Sequence, residues 1–135
     1  MVRAVTVTAA LLLLCLLSTP GYGAEQVQMT GIFSNMRYNK ESGDLNGIEV
    51  FITRSIDGYH VQFQSTANGA LAPVLVSAEV DPPYIEFVLP RIPHSYSGKF
   101  KGKVSAQGLQ GRFESGQLVD GKKDFFLKRK ASYWQ

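Results

Sequence analysis

From Gln28 onward, apolar and polar positions alternate with period two and never settle into a helical repeat. Such alternation puts successive side chains on opposite faces of a strand, one dry and one wet. Gln28 to Tyr38 reads as a first strand with Gly31 inside it. Ile48, Val50 and Ile52 alternate with Glu49, Phe51 and Thr53, and Ile56-Asp57-Gly58 turns the chain. Tyr59, Val61 and Phe63 follow, then a break at Asn68-Gly69, then Val74, Val76, Ala78 and Val80. Asp81-Pro82-Pro83 stops that run, because proline donates nothing to a ladder. Ile85, Phe87 and Leu89 come next, and Pro90 to Tyr96 is a proline-punctuated loop. Phe100, Gly102 and Val104 are set between lysines. Gln107-Gly108 turns into Leu109, Gly111 and Phe113, Glu114 to Lys123 is a polar loop, and Phe125, Leu127 and Arg129 close the series. About eight strands with short connections predict an all-β, antiparallel up-and-down meander, most simply a closed barrel that hides its edges.

The residues before this pattern are of another kind. Arg3 precedes an apolar block from Ala9 to Leu17, broken by Ser18-Thr19-Pro20, and Gly21 and Gly23 suit the small positions before a cut. The layout is that of a secretory signal peptide, residues 1–23, removed from a single domain at 24–135. The block is shorter than the roughly 20 residues that span a bilayer. Export to a periplasm or the exterior follows. The only cysteine, Cys15, lies in this segment behind Leu13 and Leu14, which does not fit lipidation. The remaining domain has no disulfide and no thiolate ligand, so burial alone must stabilise it.

Charge is unevenly spread. Residues 24–96 carry four basic and eight acidic side chains, whereas residues 97–135 carry nine basic and three acidic. The basic C-terminal part, with Lys99, Lys101, Lys103 and Arg112 on one strand face, is a candidate surface for a protein partner. Lysines on the outer faces, Lys128 and Lys130 among them, argue against a lipid-facing barrel.

Two resemblances enter on particular residues. Thr30-Gly31-Ile32-Phe33-Ser34-Asn35 resembles the opening strand of calycin barrels, the lipocalins and avidins, where a Gly-x-Trp packs under a basic residue from the last strand. That resemblance implies a pairing of Phe33 with Arg129. The walls of tryptophan that hold biotin in avidins are missing, since Trp134 is the only one. Ser42-Gly43-Asp44-Leu45-Asn46-Gly47 and the closing Ser132-Tyr133-Trp134-Gln135 are similar to stretches of small uncharacterised exported proteins of bacteria. This implies a bacterial envelope setting and brings no activity with it.

Catalytic chemistry has little to stand on, and no metal or cofactor is expected. His60 and His94 are the only histidines, too few for a zinc site without carboxylates. His94-Ser95-Tyr96-Ser97 places hydroxyls near a histidine but lacks the Gly-x-Ser-x-Gly elbow. Glu49, Glu79 and Glu86 fall on polar strand faces and read as solvent-facing charges. Lys99-Phe100-Lys101 interleaves bases with an aromatic, yet Phe100 alternates inward with Val104, which favours core over a nucleic-acid stacking platform. A non-enzymatic binding protein is the expectation. Phe33, Phe63, Phe87, Phe100, Phe113 and Phe125 all fall on inward faces. They either fill the barrel or line a cavity for a small apolar or amphipathic ligand. In the second case Phe33, Phe63 and Phe87 line it, with Tyr38, Arg91 and Tyr96 at the mouth. Trp134 is expected to cover one open end.

Overall fold

The computed structural model describes Gly23 and residues 26–135. The expected signal segment otherwise lies outside the described residues. Ten strands form: β1 Gly31–Ser34, β2 Arg37–Tyr38, β3 Leu45–Asn46, β4 Ile48–Ser55, β5 Gly58–Ser65, β6 Val74–Asp81, β7 Tyr84–Leu89, β8 Gly98–Val104, β9 Gly108–Phe113 and β10 Asp124–Arg129. Eight of them close into an antiparallel barrel in the order β1-β10-β9-β8-β7-β6-β5-β4, with β4 returning to β1. The eight-stranded closed meander expected from the alternation is therefore present, and no helix occurs among the described residues.

One expected strand is interrupted. The run from Gln28 to Tyr38 leaves the barrel at Asn35, and Arg37–Tyr38 pairs instead with Leu45–Asn46 in a two-stranded sheet of its own. Side chains fix the departure. The Asn35 Oδ1 accepts the Ile48 N–H at 2.7 Å, and the Ser34 hydroxyl accepts the Met36 N–H at 3.2 Å. Both take the place of ladder bonds, so the strand stops there.

The two ends of the barrel differ. The connections at residues 56–57, 82–83 and 105–107 are tight turns at one end. The long loops at 35–47, 66–73, 90–97 and 114–123 gather at the other. Two of these loops are locked together. Ser97 N–H donates to the Gln117 carbonyl, and Gln117 N–H donates to the Ser97 hydroxyl. Gly98 and Gly116, at φ 93° and 99°, let the backbones approach where any side chain would strike a carbonyl.

The inward residues pack on one another. Phe113 is the hub: it stacks on Tyr96 with ring centres 5.2 Å apart and meets Phe63, Phe100 and Phe125 nearly edge-on. Phe87 stacks on Phe100 at 4.7 Å. Edge-to-face and offset contacts at these distances fill space efficiently. Phe33 lies at the short-turn end. Its ring carries the Arg129 guanidinium 4.6 Å above the centre. That guanidinium donates to the carbonyls of Thr30 at 2.7 Å, of Ser105 at 3.3 Å, and of Gln28. The pairing of Phe33 with Arg129 expected from the sequence is thus a physical contact, and it ties the first strand, the last strand and a turn together.

Candidate functional sites on the wall and at the loop end

Inside the barrel the inward aromatic side chains pack on one another. Phe33, Phe63 and Phe87 are at most 3% exposed, and each is committed to core contacts. All three belong to the hydrophobic core cluster. Tyr38 stands exposed on β2 and Arg91 is exposed in the 90–97 loop. Tyr96 is buried as the cap of the aromatic cluster. The structure does not bring these six residues into one site.

Neighbouring residues do form a cup at the long-loop end, with a volume of about 460 Å³. Tyr96 and Phe125 belong to its floor, with rings 5.1 Å apart and edge-on. Arg37, Asn46, Asp120 and Lys122 stand around it. The Lys122 ammonium lies 5.4 Å from the centre of the Phe125 ring. Burial, and secondarily the Asp120 charge, push the Tyr96 phenol above its ordinary value. Sequence reasoning named Tyr96 but missed Lys122, Asp120 and Phe125 as mouth residues. They lie in or beside the polar loop 114–123, whose locking to Ser97 no local pattern announces.

The second feature is a groove of about 610 Å³ on the outer wall over β8 and β9. Its origin is a pair of facing glycines, Gly102 and Gly111. A methyl group at Gly111 would lie 2.3 Å from Phe100 Cζ and 2.6 Å from the Lys101 carbonyl. Because neither residue carries a side chain, the wall settles onto the Phe100 ring, and the groove opens on its outside. Strand register then sets the lining. Tyr84, Lys103, Gln110 and Phe126 form one outward row across β7 to β10. Tyr84 is 56% and Phe126 50% exposed. Glu86, Lys101, Arg112 and Asp124 form the next row.

The second row is largely self-neutralised. Lys99 and Lys101 reach Glu86 at 2.9 and 3.6 Å, Lys101 reaches Glu114 at 3.2 Å, and Arg112 reaches Asp124 at 3.6 Å. The hydrogen bond from Lys99 is the main reason the Glu86 carboxyl sits below its ordinary value, with the charge of Lys101 assisting, and Glu86 raises Lys99 in turn. Lys103 has no salt bridge among the described residues. Of the four basic residues expected to meet a partner, Lys101, Lys103 and Arg112 line the groove. Lys99 sits beside it against Glu86.

Two expectations about the outer wall fail. Glu49 is only 8% exposed, because the chain after Arg129 folds back across β1. Its carboxylate accepts the Ser132 hydroxyl at 2.6 Å and the Tyr133 N–H at 2.8 Å. Trp134 does not cover a barrel end. It lies on the outer face beside β4 and β5, its indole N–H donating to Gln64 Oε1 at 3.0 Å. The hydroxyl of Ser95 is buried against that of Ser65 at 2.7 Å, while His94 is exposed.

Compared with models of known protein families, with curated protein sequences and with solved structures, the chain gives no significant match.

Proposed function

We propose that this chain is an exported, non-enzymatic β-barrel that serves as a binding module, and that its outer wall from β7 to β10 docks an acidic protein surface. One observation carries the reading. The groove over Gly102 and Gly111 joins exposed aromatic side chains at both edges to Lys103, a cation with no salt bridge among the described residues. Aromatic anchors beside an available charge are the usual makings of an interface centre. Lys101 and Arg112, now held by carboxylates, can exchange those partners for acidic groups on the bound surface. A closed barrel has no free strand edge, so such a partner must read side chains rather than add a strand.

The test is capture from an envelope extract at low salt, using the wild-type domain and a variant with Lys99, Lys101, Lys103 and Arg112 changed to serine. The reading expects an acidic protein that the wild type retains, that added salt releases, and that the variant does not hold. Equal retention by both refutes it.

Export rests on the character of residues 1–23, and N-terminal sequencing of protein recovered outside the cytoplasm should begin at Ala24. Kinship with calycin barrels is supported by the Arg129 guanidinium over Phe33. A second reading, a small amphipathic ligand, finds support at the loop-end cup rather than inside the barrel.

A further inference from the structure

We infer that the cup at the long-loop end is a second, separate binding site for a small planar aryl carboxylate. The inference deepens the small-ligand reading and is independent of the outer-wall groove. A volume of about 460 Å³ lies within the range of small-molecule sites, and the wall groove and the cup share no described lining residue except Phe125. The floor is aromatic and stiff. Tyr96 is stacked on Phe113 and held edge-on by Phe63 and Phe125, so its ring cannot swing away without opening the core. A rigid aromatic floor favours a flat ring over a flexible chain, since less freedom is lost on binding.

The rim sets the charge of the ligand. Arg37 and Lys122 stand there against a single carboxylate, Asp120, and neither cation is in a salt bridge among the described residues. The excess is one positive charge, which a ligand carboxylate neutralises. The Lys122 ammonium lies over the Phe125 ring, 5.4 Å from its centre, which places one of the two cations against the aromatic floor. Arg37 is carried on the small sheet that Asn35 directs out of the barrel. The departure of the chain from β1 therefore gives the cup one of its two cations.

The probe is 2-naphthoate, titrated into the intact protein and followed by its own fluorescence and by amide shifts, with neutral 2-naphthamide alongside. Saturable naphthoate binding is expected, with shifts at Tyr96, Val119 and Phe125. Arg37→Gln and Lys122→Gln should each weaken it about threefold, the size of an exposed charge contact, and Asp120→Asn should tighten it by a similar factor. The amide should bind more weakly than the carboxylate. Lys103→Ser, in the wall groove, should weaken capture of the acidic partner while leaving naphthoate affinity unchanged, so failure of this site and failure of the outer-wall reading are told apart. Absence of saturation, equal affinity in the Arg37 and Lys122 variants, or shifts centred on Tyr84 and Phe126 would each overturn the inference.

Discussion

Replacing Arg129 tests the account of how the barrel is held shut. In Arg129→Ala, three carbonyls at the short-turn end lose a charged donor, and the Phe33 ring loses the guanidinium above it. Hydrogen bonds from a charged group are worth about 1.5–3 kcal/mol each when buried. These are partly wet, and the freed carbonyls regain water, so about 0.7–1 kcal/mol apiece is the appropriate figure. The cation–π contact adds about 0.5–1 kcal/mol. The expected loss is therefore about 3 kcal/mol, and a fall of roughly 12 °C or more in melting temperature for a domain of this size. Arg129→Lys keeps the charge but not the fork, and should lose about half as much. Urea denaturation measures both, and a double-mutant cycle with Phe33→Leu isolates the ring contact. A loss under about 0.5 kcal/mol in Arg129→Ala, the range of ordinary surface changes, would refute the claim that this residue fastens the first strand to the last.

Other expectations can be checked on the same protein. Gly111→Ala drives a methyl into Phe100 and should cost about 1–3 kcal/mol in urea denaturation while altering the wall groove; an unchanged denaturation midpoint would refute the close approach of Phe100 to the wall. Glu49→Ala removes two of the three side-chain acceptors described for the tail, leaving Gln64, and Trp134 fluorescence should then show lower anisotropy and a red-shifted maximum; an unchanged spectrum would refute the claim that Glu49 holds the tail in place. The raised Tyr96 phenol has a sign that follows directly. Its contribution is fully present below the ordinary value near 10 and is lost as pH rises through the folded-state value. Stability of the wild type should therefore fall more steeply between pH 9 and 11 than that of Tyr96→Phe, as read from denaturant midpoints at each pH.

The strands were legible because half-buried sheet leaves a local mark. Val61, Phe63, Ile85, Phe87, Leu109 and Phe113 announce their inward faces one residue at a time. What escaped is decided by residues far apart in the chain. Glu49 reads as a wet-face charge in its own strand, and only the tail returning from Ser132 buries it. The same return takes Trp134 to the outer face beside β4 and β5. Gly102 and Gly111 are visible as strand glycines, but their joint effect needs the register that sets them face to face over Phe100. The lysines were correctly expected on an outer face. Their carboxylate partners come from β7 and the loop after β9, Arg112 takes its partner from β10, and pairing decides which cation stays free. Pattern could not choose between a hollow and a filled interior, because ring-to-ring distances are not encoded in alternation.

The closure of β1 against β10 also bears on how the chain reaches its fold. Every other barrel pair except β1 with β4 joins strands consecutive in the chain, so hairpins can form early and locally. The final seam brings together groups 99 residues apart, as in the bond from Arg129 to the Thr30 carbonyl. Loop-closure entropy makes such a seam the slow step. The meander is one turn short of a continuous ring, and β10 ends beside the start of β1 at the short-turn end. A circular permutant with a linker joining the natural ends and new termini at Asn68-Gly69 would convert the seam into a hairpin. In that molecule Arg129 and Phe33 become near neighbours, and the long-range closing step passes to the β5–β6 pair, so substitutions at Arg129 should slow refolding less than they do in the original chain.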